Sequence, residues 1–388
     1  MSVPYVLAFS RPRKHPVPNV PLENLKVTPL DRLHRALGAK MVPFAGFSMP
    51  LHYADGIMAE HNHVRSGVAV FDVSHMGQVS VVGSDAMAQL ETLVPGDIAA
   101  LKPGRTRYTM LTNDQGGIID DVMATRNDNH IKLIVNASRT DVVFPYLAER
   151  LKGRARFEVH SDRALIALQG PAAATALLRL APAAGALNFM AGADMPVADI
   201  ACFVTRSGYT GEDGFEISLA AEHVERLAER LLALPGVKPA GLGARDSLRL
   251  EAGLCLYGQD LDETTTPIEA NLAWTISKHR RAERNFPGAD VIARQLAEGP
   301  QRLRVGIRPE GKVPARAGAA LALPDGTHVG TITSGCFGPT VGGPVAMGYV
   351  TPAAARLGTL LNAIVRDKPL PAKIIPLPFV PHRYHPSR

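Results

Sequence analysis

The sequence predicts an α+β fold in several parts, the last of them built of strands alone, and three observations carry that expectation. The chain has 388 residues, more than one ordinary hydrophobic core supports, so two or three domains are expected. Up to about residue 300 helical spacing alternates with short strand-like runs, which reads as two mixed α+β portions. From Arg302 onward the texture changes. Short Val- and Ile-rich runs are separated by Pro324-Asp325-Gly326 and Gly342-Gly343-Pro344, the pattern of a small all-β barrel or sandwich.

Leu30 to Leu37 carries apolar residues at helical spacing and stops at Gly38, a suitable C-cap. A second helix is expected from Ile57 to Arg65. Val68 to Val82 reads as strands punctuated by Gly77 and Gly83. Arg107 to Leu111 alternates, Asn113-Asp114-Gln115-Gly116-Gly117 signals a turn, and Ile118 to Thr125 alternates again, so the three form a hairpin. A strand at Ile131 to Val135 and a helix at Thr140 to Leu151 follow, and the basic stretch Glu149 to Arg156 is the expected crossing between domains. Ala164 to Leu168 reads as a buried strand, and Gly170-Pro171 opens a helix through Leu180. Further helices are expected at Ala221 to Leu234 and Ala244 to Ala252. No period of 20 to 50 residues recurs, which excludes a solenoid.

Composition narrows the function classes. No apolar run is long enough to cross a bilayer, so a soluble protein with no membrane partner is expected. Lys plus Arg exceed Asp plus Glu by 42 to 36, a net +6. The surplus has one local cluster at Lys278, His279, Arg280, Arg281 and Arg284, without the interleaved aromatics of a nucleic-acid surface. An anionic small molecule or an acidic protein partner fits better. Cys202, Cys255 and Cys336 are far apart and form no CxxC pair, so neither zinc nor disulfides are expected. The first 22 residues are basic and carry five prolines; a flexible bacterial extension is preferred over an organellar presequence, because the prolines spoil an amphipathic helix.

Common nucleotide motifs are absent: Gly241-Leu242-Gly243 lacks the third glycine of a dinucleotide fingerprint. Glu60-His61-Asn62-His63 tempts a metal reading, but on a helix the two histidines point about 200° apart, so solvated side chains are expected instead. Five other segments hold potential chemistry. Gly116-Gly117-Ile118-Ile119-Asp120-Asp121 sets two acids on an apolar strand, where a carboxyl has a raised pKa and can shuttle a proton. Alternation aims the acids at opposite faces without choosing between them. Arg206-Ser207-Gly208-Tyr209-Thr210-Gly211-Glu212-Asp213-Gly214-Phe215-Glu216 makes a tight glycine loop ending on Glu216, whose two oxygens suit a ring with paired N–H donors. Gly241 to Gly253 contains Arg245 at a helix start, where a cation is ill placed for the macrodipole and hints at an anionic partner. Within it Asp246 and Arg249 are spaced to pair. The remaining two are Phe71-Asp72-Val73-Ser74-His75-Met76-Gly77, preceded by Met49-Pro50-Leu51-His52-Tyr53, and Thr331-Ile332-Thr333-Ser334-Gly335-Cys336-Phe337-Gly338-Pro339-Thr340.

Together, in order and spacing from Thr28 to Val380, these segments resemble the T-protein family of glycine cleavage. The resemblance implies a three-domain cloverleaf around a central folate site, with a C-terminal all-β barrel domain. The implied parts are a flexible N-terminal extension at 1–27, a first α+β domain at 28–78 and 160–262, a second at 79–159 and 263–300, and the barrel at 301–388. It implies an aminomethyltransferase that takes an aminomethyl group from the lipoyl arm of H protein. Ammonia is released, and tetrahydrofolate becomes methylenetetrahydrofolate. The implied catalytic residue is Asp121. Glu216 matches the pterin-binding glutamate, and Tyr209 and Arg245 match other folate contacts. Tyr108, Asn136 and Met76 fall at ligand-lining positions, and Arg383 or Tyr384 sits where a further contact is expected. Gly338 departs from the serine that many relatives carry. No metal is implied, and the compartment would be the bacterial cytoplasm, or the mitochondrial matrix in a eukaryote. Two rivals remain: a folate-dependent demethylase of the same superfamily, and the non-enzymatic folate-binding protein of iron–sulfur assembly. The latter has a Lys-Gly-Cys-Tyr-type motif where this chain reads Gly253-Leu254-Cys255-Leu256-Tyr257.

Overall fold

A six-stranded and a five-stranded sheet carry the two acidic motifs, and a closed barrel follows them in the computed structural model, which describes residues 24–385. The six-stranded sheet runs in the order Gly192–Val197, Ile200–Thr205, Gly214–Ala220, Arg163–Gln169, Val68–Asp72 and Val237–Pro239. Its strands alternate Val, Ile and Leu inward, and one face buries Val70, Ile166, Leu168, Phe215 and Ile217 against the helix Val224–Leu232. The other face packs Phe71, Leu165 and Ala167 against Ala244 and Leu248 of the helix Leu242–Glu251. That helix crosses Ile57–Ser66 closely: a Cβ on Gly243 would lie 2.5 Å from Ile57 Cγ1, so only glycine allows the approach.

The five-stranded sheet runs Thr106–Thr112, Ile118–Arg126, His130–Val135, Gly77–Val82 and Arg156–Val159. The expected hairpin is present, with a register shift that leaves Ile119 as an extra residue between Ile118 and Asp120. The expected crossing at Glu149 to Arg156 is corrected. This stretch joins the helix Thr140–Arg150 to the strand Arg156–Val159, which pairs with Gly77–Val82 in the same sheet. The chain leaves for the six-stranded sheet only after Val159. The helix expected through Leu180 is also shorter, Ala173–Leu177, because Pro182 and the turns before it end the periodic run.

From 303 the chain closes a six-stranded barrel in the order Leu303–Pro309, Gly343–Val350, His328–Gly338, Ala320–Ala322, Leu360–Val365 and Lys368–Ile375. Pairing of the first strand with the last completes the ring, which leaves no open edge. The flexible extension expected at 1–27 is corrected at its end. Lys26–Val27 pair in parallel with Phe47–Ser48, and the Lys26 amide donates to Gly46 O at 3.1 Å. Residues 1–23 of that expectation lie outside the described residues.

The histidine reading is overturned as well. His61 is fully buried, with Nδ1 2.7 Å from Ser247 Oγ and Nε2 2.8 Å from Thr340 Oγ1 and 3.1 Å from Glu251 Oε2. His63 Nε2 lies 3.0 Å from Val68 O and 2.9 Å from Gly236 O. Both rings point into packed surroundings because the Ile57–Ser66 helix is covered on several sides, by the Leu242–Glu251 helix, the barrel and the sheet edge. The basic cluster is likewise no patch. Arg280 is fully buried and donates to Glu91 O and Val94 O, while Arg281 donates to Ala273 O and Ile276 O.

Candidate active site

Asp121 lies on the strand Ile118–Arg126 opposite Met110, with Tyr108 two residues further along the neighbouring strand. Its carboxylate accepts the Tyr108 hydroxyl at 2.9 Å on one oxygen and Asn136 Nδ2 at 2.8 Å on the other. Asn136 ends the strand His130–Val135, the next one in the sheet. The same Nδ2 is 2.8 Å from Asp120 Oδ1, and the Asn136 amide donates to Asp120 Oδ2 at 3.0 Å. The two acids therefore do not look onto separate surroundings, and Asp120 neither caps the turn nor meets a surface base. The bulge at Ile119 adds twist, and it brings both carboxyls to one side-chain amide.

Neutral donors hold this pair, with the nearest cation one step removed: Arg139 donates to Ile119 O at 2.8 Å. Burial, then repulsion from Asp121, pushes the Asp120 carboxyl well above its ordinary range. Burial also raises Asp121, against the opposing hydrogen bonds from Tyr108 and Asn136. Of the two, Asp121 is half-buried and ionises first, while Asp120 is completely enclosed. The Tyr108 hydroxyl is itself pushed far up by burial and then by Asp121, so it remains a donor.

The second half of the site comes from the glycine loop and the helix Leu242–Glu251. Gly211 has φ +79°, which allows the loop to reverse. The loop is stitched to the buried Gln169, whose Nε2 donates to Ser207 O at 3.0 Å and whose Oε1 accepts Thr210 Oγ1 at 2.8 Å. Glu216, paired with Ala167 and Thr205 in the sheet, accepts Ser207 Oγ at 3.0 Å. Arg245 lies over the Tyr209 ring, 4.7 Å from its centroid, and its buried Nη1 has no partner. Burial lowers the Arg245 pKa, with Glu216 and Tyr209 acting the other way. The Tyr209 hydroxyl donates to Cys255 O. Glu216 also borders a cavity of about 410 Å³ between the two sheets, shared with Gln78, Lys132, His160, Arg163 and Ser218.

Arg245 thus has Glu216 and Tyr209 as electrostatic neighbours, and Tyr209 has Asp121 in turn, so a carboxylate acceptor, an unpartnered guanidinium and a raised carboxyl share one neighbourhood. Comparison with known proteins identifies the family. The GCVT N-terminal domain matches residues 30–280, and the glycine cleavage T-protein C-terminal barrel domain matches 302–381. The chain belongs to the glycine cleavage T-protein family. It is 49% identical over 372 residues to the mitochondrial aminomethyltransferase of Gallus gallus, covering 94% of both chains. It is 46% identical over 371 residues to that of Homo sapiens, covering 94% of this chain and 92% of the relative. The crystal structure of glycine cleavage system aminomethyltransferase T from Bartonella henselae superposes with a TM-score of 0.88 at 44% identity, over 93% of this chain and 100% of that one.

Not every residue singled out by the T-protein resemblance stands beside the others. Arg383 is committed elsewhere: Nη2 donates to Glu212 Oε1 at 2.5 Å and to Arg65 O at 2.9 Å. Tyr384 stacks on Phe189 with centroids 4.2 Å apart. Met76 packs with Phe71, Val73 and Leu248, beside the helix that carries Arg245. Gly338 faces that helix too, and a Cβ there would come 2.8 Å from Glu251 Oε1. Three contributors escaped the sequence reading. Ser207 orients Glu216, and Thr205 Oγ1 lies 2.9 Å from the Ser207 hydroxyl in turn. His75 is buried between the edges of Phe44 and Phe47 with Nδ1 unpartnered, and burial drives its pKa down to about 4. The third is Trp274, on the far side of Tyr108. Membership of a recognised motif was the signal for Ser207 and His75; Trp274 had only its being the single tryptophan.

Proposed function

We propose that the chain is the tetrahydrofolate-dependent aminomethyltransferase of a glycine cleavage system, acting on the aminomethyl group carried by lipoylated H protein. The observation that carries this is the half-buried Asp121 carboxylate, held by Tyr108 and Asn136 and raised in pKa by burial. The folate fits the residues present. Glu216 keeps an oxygen free of Ser207 for the paired N–H donors of a pterin, and Arg245 Nη1 is a buried donor awaiting an acceptor. Tyr209 gives the ring and the guanidinium a common platform.

Bound tetrahydrofolate supplies the nitrogens that take up the carbon. Two N–H protons must leave those nitrogens; one ends on ammonia and the other on the thiol of the carrier arm, while the oxidation level of the carbon is unchanged. The chain's own task is then proton traffic. Asp121, with a pKa raised toward the working range, accepts a hydrogen bond from a nitrogen losing its proton and passes that proton on, an assistance of roughly a hundred- to ten-thousand-fold. Tyr108 and Asn136 fix the carboxylate in place; Asp120 behind it shares the Asn136 amide, and its proximity raises the pair's pKa values together. Arg383 and Tyr384 remain candidates for the far end of the folate, reached only if Arg383 exchanges its Glu212 partner for the ligand.

Purified protein given tetrahydrofolate and aminomethyl-loaded H protein should release ammonia and methylenetetrahydrofolate. Turnover of a methylated sulfur or amine compound in its place would assign the chain to the demethylases. Two named relatives are mitochondrial proteins, and among the described residues no helix is long and apolar enough to cross a membrane. Those facts support a matrix or bacterial cytoplasmic setting.

A further inference from the structure

Trp274 is the most exposed large hydrophobic side chain among the described residues, at 69%. It is also the chain's single tryptophan. An indole left in water forgoes a large burial gain, so its position needs a reason. Two features show that it is placed rather than merely left over. Its ring stacks on Tyr108, with centroids 6.0 Å apart and planes 22° from parallel. Tyr108 in turn donates to Asp121. The short helical turn Ala273–Thr275 that carries it is pinned by Arg281, whose guanidinium donates to Ala273 O at 2.6 Å and Ile276 O at 2.9 Å. Thr275 Oγ1 adds a bond to Leu272 O at 2.7 Å.

We infer that Trp274 is a positioning residue for the carrier arm: the alkyl chain and sulfur of the lipoyl group lie across the exposed face of the indole. This inference rests on the aminomethyltransferase reading. Its logic is one of direction. Glu216, Arg245 and Tyr209 form the polar end of the site, suited to the pterin, and Tyr108 with Asp121 follows. Trp274 lies beyond Tyr108, at the water-exposed end. A second substrate that must deliver carbon to Asp121 from outside meets the indole first. The arm's alkyl chain and thioether sulfur have only dispersion and sulfur–aromatic contact with which to be aligned, and an indole face supplies both. Lys278, exposed on the helix that begins just after this turn, offers a cation for an acidic carrier surface.

The single tryptophan makes the test direct. Emission of the wild-type protein should shift to the blue, or be quenched, on adding lipoylated H protein, and should stay unchanged with H protein lacking the lipoyl group. In steady state Trp274→Ala should raise KM for loaded H protein by about tenfold or more, as loss of an aromatic contact predicts. Its KM for tetrahydrofolate should remain within about twofold and its kcat within about threefold, since a uniform binding contact leaves turnover alone. Trp274→Phe should recover most of the loss. An active wild type whose emission ignores the lipoyl group would overturn the assignment. So would a variant that loses folate affinity or kcat while keeping its KM for H protein. A wild type with no turnover of loaded H protein takes down both this inference and the reading beneath it.

Discussion

The Asp120–Asp121 pair and the Glu212–Glu251 pair are both withdrawn from water, but they keep opposite company. The aspartates are held by an amide and a phenol, Asn136 and Tyr108. The glutamates are held by cations. Arg65 spans them, with Nη1 2.8 Å from Glu212 Oε1 and Nη2 2.9 Å from Glu251 Oε2; Arg383 adds a second cation at Glu212, and the His61 ring lies 3.1 Å from Glu251 Oε2. The result shows in their acidities. Burial lifts both aspartates, whereas for Glu251 burial is outweighed by His61, Thr340 and Arg65, which bring it down to about 2. A buried carboxylate among neutral donors takes up a proton more readily than a free one. One ringed by cations stays charged and acts as a joint. That joint ties together the helices Ile57–Ser66 and Leu242–Glu251, the loop at Thr210 through Arg65 Nη1, the barrel through the Thr340 amide, and the tail through Arg383, which donates to Glu212.

The largest effect should fall on the joint. Arg65→Met leaves two buried glutamates short of their cation and should cost about 3–5 kcal/mol of stability, read from urea unfolding. A wild-type midpoint in that variant would break the contrast at its strongest point. The same joint sets a pH dependence. Because the folded pKa of Glu251 lies below its ordinary 4.5, its stabilisation is present above that value. It is lost as pH falls toward about 2. Glu251→Gln should flatten this acid limb; a melting profile in acid that matches the wild type would remove Glu251 as its source.

Next in size is the carboxylate proposed to handle the proton. Asp121→Asn keeps the shape and removes the anion, so kcat should fall by roughly a hundredfold or more at saturating substrates. Folate affinity and thermal melting should stay nearly normal. The acid limb of the wild-type kcat profile should lie above the ordinary aspartate value of 3.8, following the raised pKa of Asp121. Full activity in the Asp121→Asn protein would refute the proton-handling role. Glu216→Ala is expected to weaken folate binding by about tenfold or more, the cost of a lost charged hydrogen bond. Calorimetry with unchanged folate affinity would take Glu216 out of the site.

Of the two aspartates, Asp120 should show the smaller change in turnover when replaced by asparagine. Both oxygens of Asp120 accept from Asn136, so a carboxamide sets N–H against N–H and should cost about 1–3 kcal/mol of stability. Its kcat should stay within about tenfold of wild type, far above that of Asp121→Asn. Equal losses in the two variants would show that the pair works as a unit.

The sequence by itself determined the class and most of the pieces. Period-two alternation marked the hairpin at 107–125, helical spacing marked 57–65 and 244–252, each within two residues of the helices and strands formed, and Gly-Pro punctuation marked the barrel. These signals are local, since side-chain alternation and turn chemistry act over a few residues. The motifs likewise pointed to Asp121, Glu216 and Arg245 as residues with work to do. Only the tertiary structure decided their company. Whether Asp120 and Asp121 share a partner turned on one extra residue at Ile119 and on Asn136, sixteen positions from Asp120. Whether His61 was wet turned on Thr340, 279 positions away. Whether Trp274 was core or rim turned on Arg281 pinning its turn beside Tyr108. Such contacts form between segments whose own patterns carry no trace of one another. Burial and pKa follow from them, because both are set by everything that surrounds a group and not by its neighbours in the chain.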